Sequence, residues 1–124
     1  MQKKKGIDFI ICDHHVPDDI LPPAVAILNA KRADNTYPYD HLSGCGVGFK
    51  FMQAFALNNG IEFHQLTPLL DLVAVSVASD IVPIMGENRV LTHHGLKQLN
   101  SNPSVGLKAI IDVCGLSEKR NYRR

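Results

Sequence analysis

The chain has 124 residues, a length that predicts one domain with a modest core. Hydrophobic residues make up 45% and charged residues 20% of the chain, which argues against disordered, collagen-like and disulfide-scaffold proteins. The net charge of +1 conceals basic ends on an acidic body. Between Gly6 and Glu118 there are six Lys and Arg but all 12 Asp and Glu, a net charge of −6. Such a body binds polyanions poorly by itself, so a phosphorylated substrate would require cations.

Membrane insertion and secretion are not expected. No apolar stretch approaches the roughly 20 residues that span a bilayer, and no signal-peptide pattern follows the basic amino end. Three cysteines, Cys12, Cys45 and Cys114, lack CxxC spacing and predict free thiols in a reducing cytosol. We therefore expect a cytoplasmic protein. A zinc site formed by Cys12, His14 and Cys45 is an alternative.

The first third of the chain predicts two short strands. Gly6–Cys12 is β-branched and aromatic, and Ala24–Asn29 is a second apolar run. A proline-rich segment between them predicts a loop. Because both runs are typical of buried strands, they indicate a parallel sheet.

Several helices are predicted after the strands. The start signals are Ser43 as an N-cap and Thr67 followed by Pro68, and the stop signals are Asn58-Asn59-Gly60 and Pro83. The expected helices are 43–57, 67–83, 88–99 and 105–113. The predicted fold class is therefore α/β, with strands in the amino-terminal third followed by helices.

Reactive side chains concentrate at Asp13-His14-His15, directly after the first strand. In open α/β sheets, ligands bind beyond the carboxyl ends of the strands. Successive residues leaving a strand point to different sides, so one histidine can face a site while Asp13 supports it from behind. The alternative is a polar turn that carries two surface histidines.

Asp80 is the second unusual residue, because it lies near the end of an otherwise apolar helix. A carboxylate at a helix carboxyl end faces the negative end of the helix dipole, which is unfavourable unless a cation is near. Its neighbours Val77 and Ile81 predict partial burial, which raises the cost of an unpaired charge. Asp71 lies in the first turn of the same helix, where the dipole favours it.

The motif Asp13-His14-His15 resembles the signature of the DHH phosphoesterase superfamily. A longer ordered series resembles the RecJ-type exonucleases, which are specific for single-stranded DNA. The series consists of Leu21–Asn29, Tyr37-Pro38, Leu42–Gly48, Leu70–Ala74, Val77–Ile84 and Asn88-Arg89. The resemblance extends over Gly6–Gly115 and implies a DHH catalytic domain.

The resemblance implies a 5′–3′ exonuclease of DNA repair and recombination that uses two Mn²⁺ or Mg²⁺ ions. It makes His14 and Asp80 metal ligands, sets His15 beside the phosphate and makes Asp13 the residue that orients the histidines. Paired cations are also reasonable on chemical grounds, because they activate a water molecule and stabilise both the attacking and the leaving oxygen.

The sequence departs from the family pattern in one important respect. The other metal-binding aspartates of the family, an Asp-x-Asp motif and a further Asp, precede the histidine motif, whereas only 12 residues precede Asp13. The carboxy-terminal substrate domain of the family is also missing. We therefore expect a single-domain fragment of a DHH catalytic domain that is inactive alone. The segment that carries the motifs is expected at 6–115, with flexible ends at 1–5 and 117–124. An exposed sheet edge would favour self-association.

Three other features favour ordinary structural roles. The run Gly44–Gly48 predicts close helix packing rather than a nucleotide loop, because its glycine spacing is wrong for the latter. His93 and His94 are expected to be ordinary helix residues. Arg89 is a possible phosphate donor, although an ion pair with Glu87 or Asp112 is favoured.

Two alternative functions remain open. One is a phosphoesterase of the same superfamily that cleaves oligoribonucleotides, cyclic dinucleotides or pyrophosphate. The other is a non-catalytic module that binds nucleic acid or a protein partner. Few aromatic residues are available to stack bases, which disfavours the second.

Overall fold

The computed structural model describes residues 6–117, so the predicted flexible ends lie outside the described residues except for residue 117. Two strands come first, β1 (Ile10–Cys12) and β2 (Ala26–Leu28). Four helices follow, with two 3₁₀ turns, Phe63–Gln65 and Thr67–Leu69, ahead of the second helix. The helices are α1 (Gly44–Asn58), α2 (Leu70–Ser79), α3 (Gly86–Ser101) and α4 (Val105–Val113). This order is the predicted α/β arrangement.

The two strands pair in parallel, as predicted, with Ile11 opposite Ile27. They are shorter than expected, and the expectation that they are buried is wrong. Ile10 is 50% exposed, and no residue of either strand is fully buried. The reason is that the sheet within residues 6–117 has two strands only, and the helical core covers it only in part, through Leu28.

Helix α1 begins and ends where the sequence predicts. The Ser43 hydroxyl accepts a hydrogen bond from the backbone N–H of Gly46 (3.1 Å) and so caps the first turn. The helix ends at Asn58, and Gly60 follows in the left-handed conformation with φ +65°.

Helix α2 differs from the prediction at both ends. The Thr67 hydroxyl donates to the carbonyl of His64 (2.7 Å) instead of capping, so a 3₁₀ turn precedes the helix. The helix ends at Ser79, before Pro83, because Ile81 has a φ of +54° and turns the chain out of the helix. Asp71 is fully buried, and its carboxylate also accepts from the backbone N–H of Ser104 at 2.6 Å. It therefore joins the start of α2 to the start of α4, beyond its predicted dipole role.

Helices α2 and α3 cross at Gly95. A Cβ atom there would lie 2.2 Å from the carbonyl oxygen of Leu70 and 2.6 Å from the Cβ of Ala74. In the first turn of α3, the fully buried side chain of Asn88 donates to the carbonyls of His41 (2.7 Å) and Pro83 (3.0 Å). The loop before α1 and the loop after α2 are thereby fixed to α3.

The hydrophobic core lies among the first three helices, the segment before α1 and the segment of the 3₁₀ turns. Its members are Leu42, Val47, Phe49, Ala56, Leu66, Leu70, Val73, Val77 and Leu91. Helix α4 has the predicted bounds, but it contributes no fully buried residue. Within residues 6–117, no helix has the length and apolar character needed to cross a membrane.

Candidate metal centre

His14 and Asp80 approach each other at the carboxyl end of β1. His14 leaves the strand, and Asp80 is the residue after the last turn of α2. His14 Nε2 and Asp80 Oδ2 are 3.7 Å apart, and both side chains are partly buried, with exposed fractions of 17% and 25%. The structure thus brings together two residues that are 66 positions apart in the sequence.

Asp80 is held by the amino-terminal end of α1. Its Oδ2 accepts from the backbone N–H of Gly44 and from the hydroxyl of Ser76, each at 3.0 Å. The Ser76 hydroxyl in turn accepts from the backbone N–H of Cys45 at 3.2 Å. Together with Ser43, these side chains satisfy three of the N–H groups that a helix start leaves unpaired.

This arrangement corrects the argument that Asp80 requires a cation because of the dipole of α2. The positive end of the α1 dipole faces the carboxylate and compensates for the negative end of α2. Burial raises the pKa of Asp80, but the hydrogen bonds from Gly44 and Ser76 outweigh it, and the resulting pKa lies below the usual value. The carboxylate is therefore ionised at neutral pH and available to a cation.

The turn after β1 is organised by Asp13. Its Oδ1 accepts from the backbone N–H groups of His14 (2.8 Å) and His15 (3.3 Å) and pairs with His15 Nδ1 at 2.7 Å. The side-chain hydrogen bond with His15 is the main reason that the pKa of Asp13 is lowered. His15 is 76% exposed, so with Nδ1 held by Asp13 its Nε2 is directed to solvent or to a ligand.

Arg89 does not make the predicted ion pair. The Glu87 carboxylate instead forms an ion pair with Lys50 Nζ (2.7 Å) and accepts a hydrogen bond from the Tyr37 hydroxyl (2.6 Å). These contacts connect α3 to α1 and to the loop before α1. Asp112 pairs with Lys108 at 2.7 Å. Arg89 is exposed in the first turn of α3 and forms no ion pair with residues 6–117. No contact within these residues joins it to the two histidines or Asp80, so a phosphate role stays a prediction.

The predicted close packing of the glycine run is not found at Gly44 or Gly48, where a Cβ atom would make ordinary contacts or none. A Cβ atom at Gly44 would lie 3.5 Å from His14 Cδ2 and 3.8 Å from Asp80 Oδ2, so α1 begins against the site. His93 and His94 are exposed and stack edge to face with each other, which fits ordinary surface residues of α3. All three cysteines lie within the described residues and are free thiols.

The histidine–carboxylate pair can supply two of the ligands of one cation. With metal–ligand distances of about 2.1 Å, two donors of one ion lie at most ~4.2 Å apart, and the observed 3.7 Å satisfies this limit. A nitrogen and a carboxylate oxygen suit Mn²⁺, which takes mixed ligands. Among residues 6–117, however, no group of three His, Cys, Asp or Glu is placed to hold a metal. This finding includes the zinc alternative of Cys12, His14 and Cys45.

Two residues of this region escaped the sequence analysis. Ser76 lies one helical turn before Asp80, a spacing that places both on one face of α2 and is visible in the sequence. Asn29 directly follows β2, and its side chain donates to the carbonyl of His15 at 2.8 Å. Asn29, like the residues after β1, lies beyond the carboxyl end of a parallel strand, a position that is visible in the sequence.

These features define an α/β domain with a histidine–carboxylate pair beyond the carboxyl end of a parallel strand. Residues 1–77 match the family described as "DHH family, N-terminal domain". The chain therefore belongs to the DHH family.

The chain is also similar to curated exonucleases. It is 39% identical over 113 residues to the single-stranded-DNA-specific exonuclease RecJ of Bacillus subtilis, covering 91% of this chain and 14% of the relative. It is 38% identical over 118 residues to the enzyme of the same name from Escherichia coli, covering 87% and 20%. The chain thus spans about a fifth or less of these relatives' length. No solved structure matches it.

Proposed function

We propose that this chain is the part of a metal-dependent phosphodiesterase that carries the histidine motif, and that the whole enzyme degrades single-stranded DNA from a 5′ end. The observation that supports this most strongly is the His14–Asp80 pair at 3.7 Å beside the amino-terminal end of α1. The similar exonucleases are specific for single-stranded DNA, which supports the choice of substrate. A role in DNA repair and recombination and a cytoplasmic location belong to the same proposal.

Each residue of the site has a distinct part in this proposal. His14 and Asp80 would hold a Mn²⁺ or Mg²⁺ ion, and two such ions in the whole enzyme would supply an activated water and charge stabilisation at the phosphate. His15 presents Nε2 to a phosphate oxygen, because Asp13 holds its Nδ1. Asp13 also fixes the turn through the backbone N–H groups of both histidines.

The chain alone is expected to be inactive. Two-metal catalysis requires carboxylates that hold the ions about 4 Å apart, and the described residues bring together one histidine and one carboxylate. The resemblance to the family assigns the missing ligands to an Asp-x-Asp motif and a further aspartate that precede the histidine motif.

A chimaera tests this proposal. Residues 6–115 of this chain replace the matching segment of the Bacillus subtilis relative, and 5′-labelled single-stranded DNA is the substrate with Mn²⁺. We expect activity in the chimaera, none in the chain alone, and loss of activity in His15→Ala and Asp80→Ala chimaeras. His93→Ala, which removes an exposed histidine of α3, serves as the matched control and should retain activity.

The other two functions are separated by the same assay. A chimaera that prefers short oligoribonucleotides, cyclic dinucleotides or pyrophosphate over single-stranded DNA would favour the small-substrate phosphoesterase. A chimaera that binds DNA but cleaves it with neither Mn²⁺ nor Mg²⁺ would favour the non-catalytic module. Robust nuclease activity of the chain alone, abolished by His15→Ala, would contradict the proposal that this chain carries only part of the active site.

We also propose that the purified chain self-associates through its sheet. Ile10 and Val25 are 50% and 68% exposed, and a two-stranded sheet leaves unpaired backbone groups along its edges. Light scattering should show a molecular mass that rises with concentration, and Ile10→Lys should return the chain to a monomer. A wild-type chain that stays monomeric at high concentration would exclude this association.

A further inference from the structure

Asn29 differs from every other residue of the region that carries the histidine motif. Within residues 6–41 it is the one residue that is fully buried, at 6% exposed. Its Oδ1 accepts from the backbone N–H of Lys31 (2.9 Å), a local turn contact. Its Nδ2 donates to the carbonyl of His15 (2.8 Å), which is 14 residues earlier in the chain.

The bond to His15 acts on a segment that has few other supports. The ladder of β1 has three residues, and the segment from His15 to Pro23 is irregular and mostly exposed. The backbone N–H of Asp13 donates to the carbonyl of Leu28 at 3.0 Å. His14 therefore lies between two backbone anchors, one on each side, and both anchors are at the carboxyl end of β2.

We propose that Asn29 is a positioning residue that orients the His14 ring toward Asp80. This inference rests on the proposed function only in taking His14 as a site residue. A buried side-chain amide needs hydrogen-bond partners, and here the nonlocal partner is the carbonyl of His15, the residue after His14. Asp13 fixes the turn through the backbone N–H groups of both histidines, whereas Asn29 fixes it through the carbonyl of His15.

The two hydrogen bonds of Asn29 can be separated by substitution. Asn29→Asp retains an oxygen for the N–H of Lys31 but cannot donate to the His15 carbonyl when ionised. Asn29→Leu removes both bonds and keeps the branched shape of the side chain. Asn35→Asp is the matched control, because Asn35 also donates to backbone carbonyls, those of Ala30 and Tyr37, and does not bind the 13–15 segment.

The test is a metal-free NMR comparison of the purified chain. His14 Cδ2 lies 3.5 Å from the Cβ position of Gly44, so the wild type should show a nuclear Overhauser effect between the His14 ring and Gly44. We expect Asn29→Asp and Asn29→Leu to weaken it severalfold, with the signals of the α2–α3 core unchanged. Asn35→Asp should retain it. Wild-type intensity in a folded Asn29 variant would overturn the proposal.

A wild-type measurement keeps the proposal testable if both Asn29 variants unfold. The Asn29 side-chain amide protons should exchange slowly with water and show an Overhauser effect to the backbone of Val16, which follows the bonded carbonyl. Fast exchange without this effect would overturn the proposal.

Mn²⁺ binding gives a second, separate reading. Removing a residue that orients a metal ligand typically lowers metal affinity by about 10- to 100-fold, and we expect a loss of about tenfold in the Asn29 variants. If the wild type shows the His14–Gly44 effect but binds no Mn²⁺, the metal part of the proposed function fails while the positioning role of Asn29 stands.

Discussion

The sheet region, residues 6–41, and the helical region, residues 42–101, use their apolar residues in different ways. In the helical region nine apolar residues form a closed core, with Val73 and Val77 only 2% and 1% exposed. In the sheet region, apolar side chains such as Ile7, Phe9 and Val25 are 44–68% exposed. The stability of the chain therefore resides mainly in the helices. The sheet region is attached to them by a few polar contacts and by the partly buried side chains of Leu28, Tyr37 and Tyr39, which pack against the core.

The candidate site lies at the boundary between these two regions. His14 belongs to the sheet region, whereas Asp80 and the Gly44 N–H belong to the helical region. The geometry of the site therefore depends on how firmly the sheet region is attached. Substitutions in the two regions should accordingly have very different effects on the free energy of unfolding.

The largest effect is expected at the α2–α3 crossing. Gly95→Ala places a Cβ atom 2.2 Å from the carbonyl oxygen of Leu70, so the helices must separate. We expect a loss of about 3 kcal/mol, at the upper end for overpacked positions, measured by urea unfolding. Gly48→Ala in α1, where a Cβ meets nothing within 4 Å, should instead gain about 0.5–1 kcal/mol. Equal effects of the two would contradict the tight crossing.

A comparison of two valines tests the contrast between the regions directly. Val77→Ala opens a cavity in the core and should cost about 2 kcal/mol, whereas Val25→Ala, at 68% exposed, should change stability by less than about 0.5 kcal/mol. Thermal unfolding followed by far-ultraviolet circular dichroism measures both. A Val25→Ala chain as unstable as Val77→Ala would show that the sheet has a core of its own.

A smaller effect is expected next to Asp80, at Ile81. Its φ of +54° strains a β-branched residue, and its side chain is 89% exposed and packs little. Ile81→Gly should therefore gain about 1 kcal/mol. Gly60→Ala, at φ +65° with open space around it, should lose about the same amount. A destabilised Ile81→Gly chain would contradict this expectation, because it would mean that packing of the Ile81 side chain outweighs the backbone strain.

The sequence predicted those features that depend on local chemistry or on chain order. The Ser43 cap, the end of α1 at Asn58 and Gly60, and the bounds of α4 follow from neighbouring residues. The parallel pairing of β1 and β2 follows from the order of the elements. The proximity of Asp13-His14-His15 to Asp80 was indicated by the family resemblance.

The features that the sequence could not predict depend on tertiary partners. Thr67 bonds a preceding carbonyl because a 3₁₀ turn lies before it, and Glu87 is taken by Lys50 from another helix. The compensation of Asp80 by the start of α1 required knowledge of how α1 and α2 pack. The exposure of the strands depends on which other elements pack on the sheet, and the strand sequences do not specify those elements.

The most direct test of the central claim, a partial metal site shared by the two regions, is a Mn²⁺ titration followed by paramagnetic broadening of NMR signals. With two protein ligands, we expect a dissociation constant no tighter than about 10⁻⁴ M. Broadening should begin at His14, Gly44 and Asp80 and should disappear in His14→Ala and Asp80→Ala, but persist in His94→Ala. Nanomolar binding, or broadening centred on Cys12 and Cys45, would contradict this account.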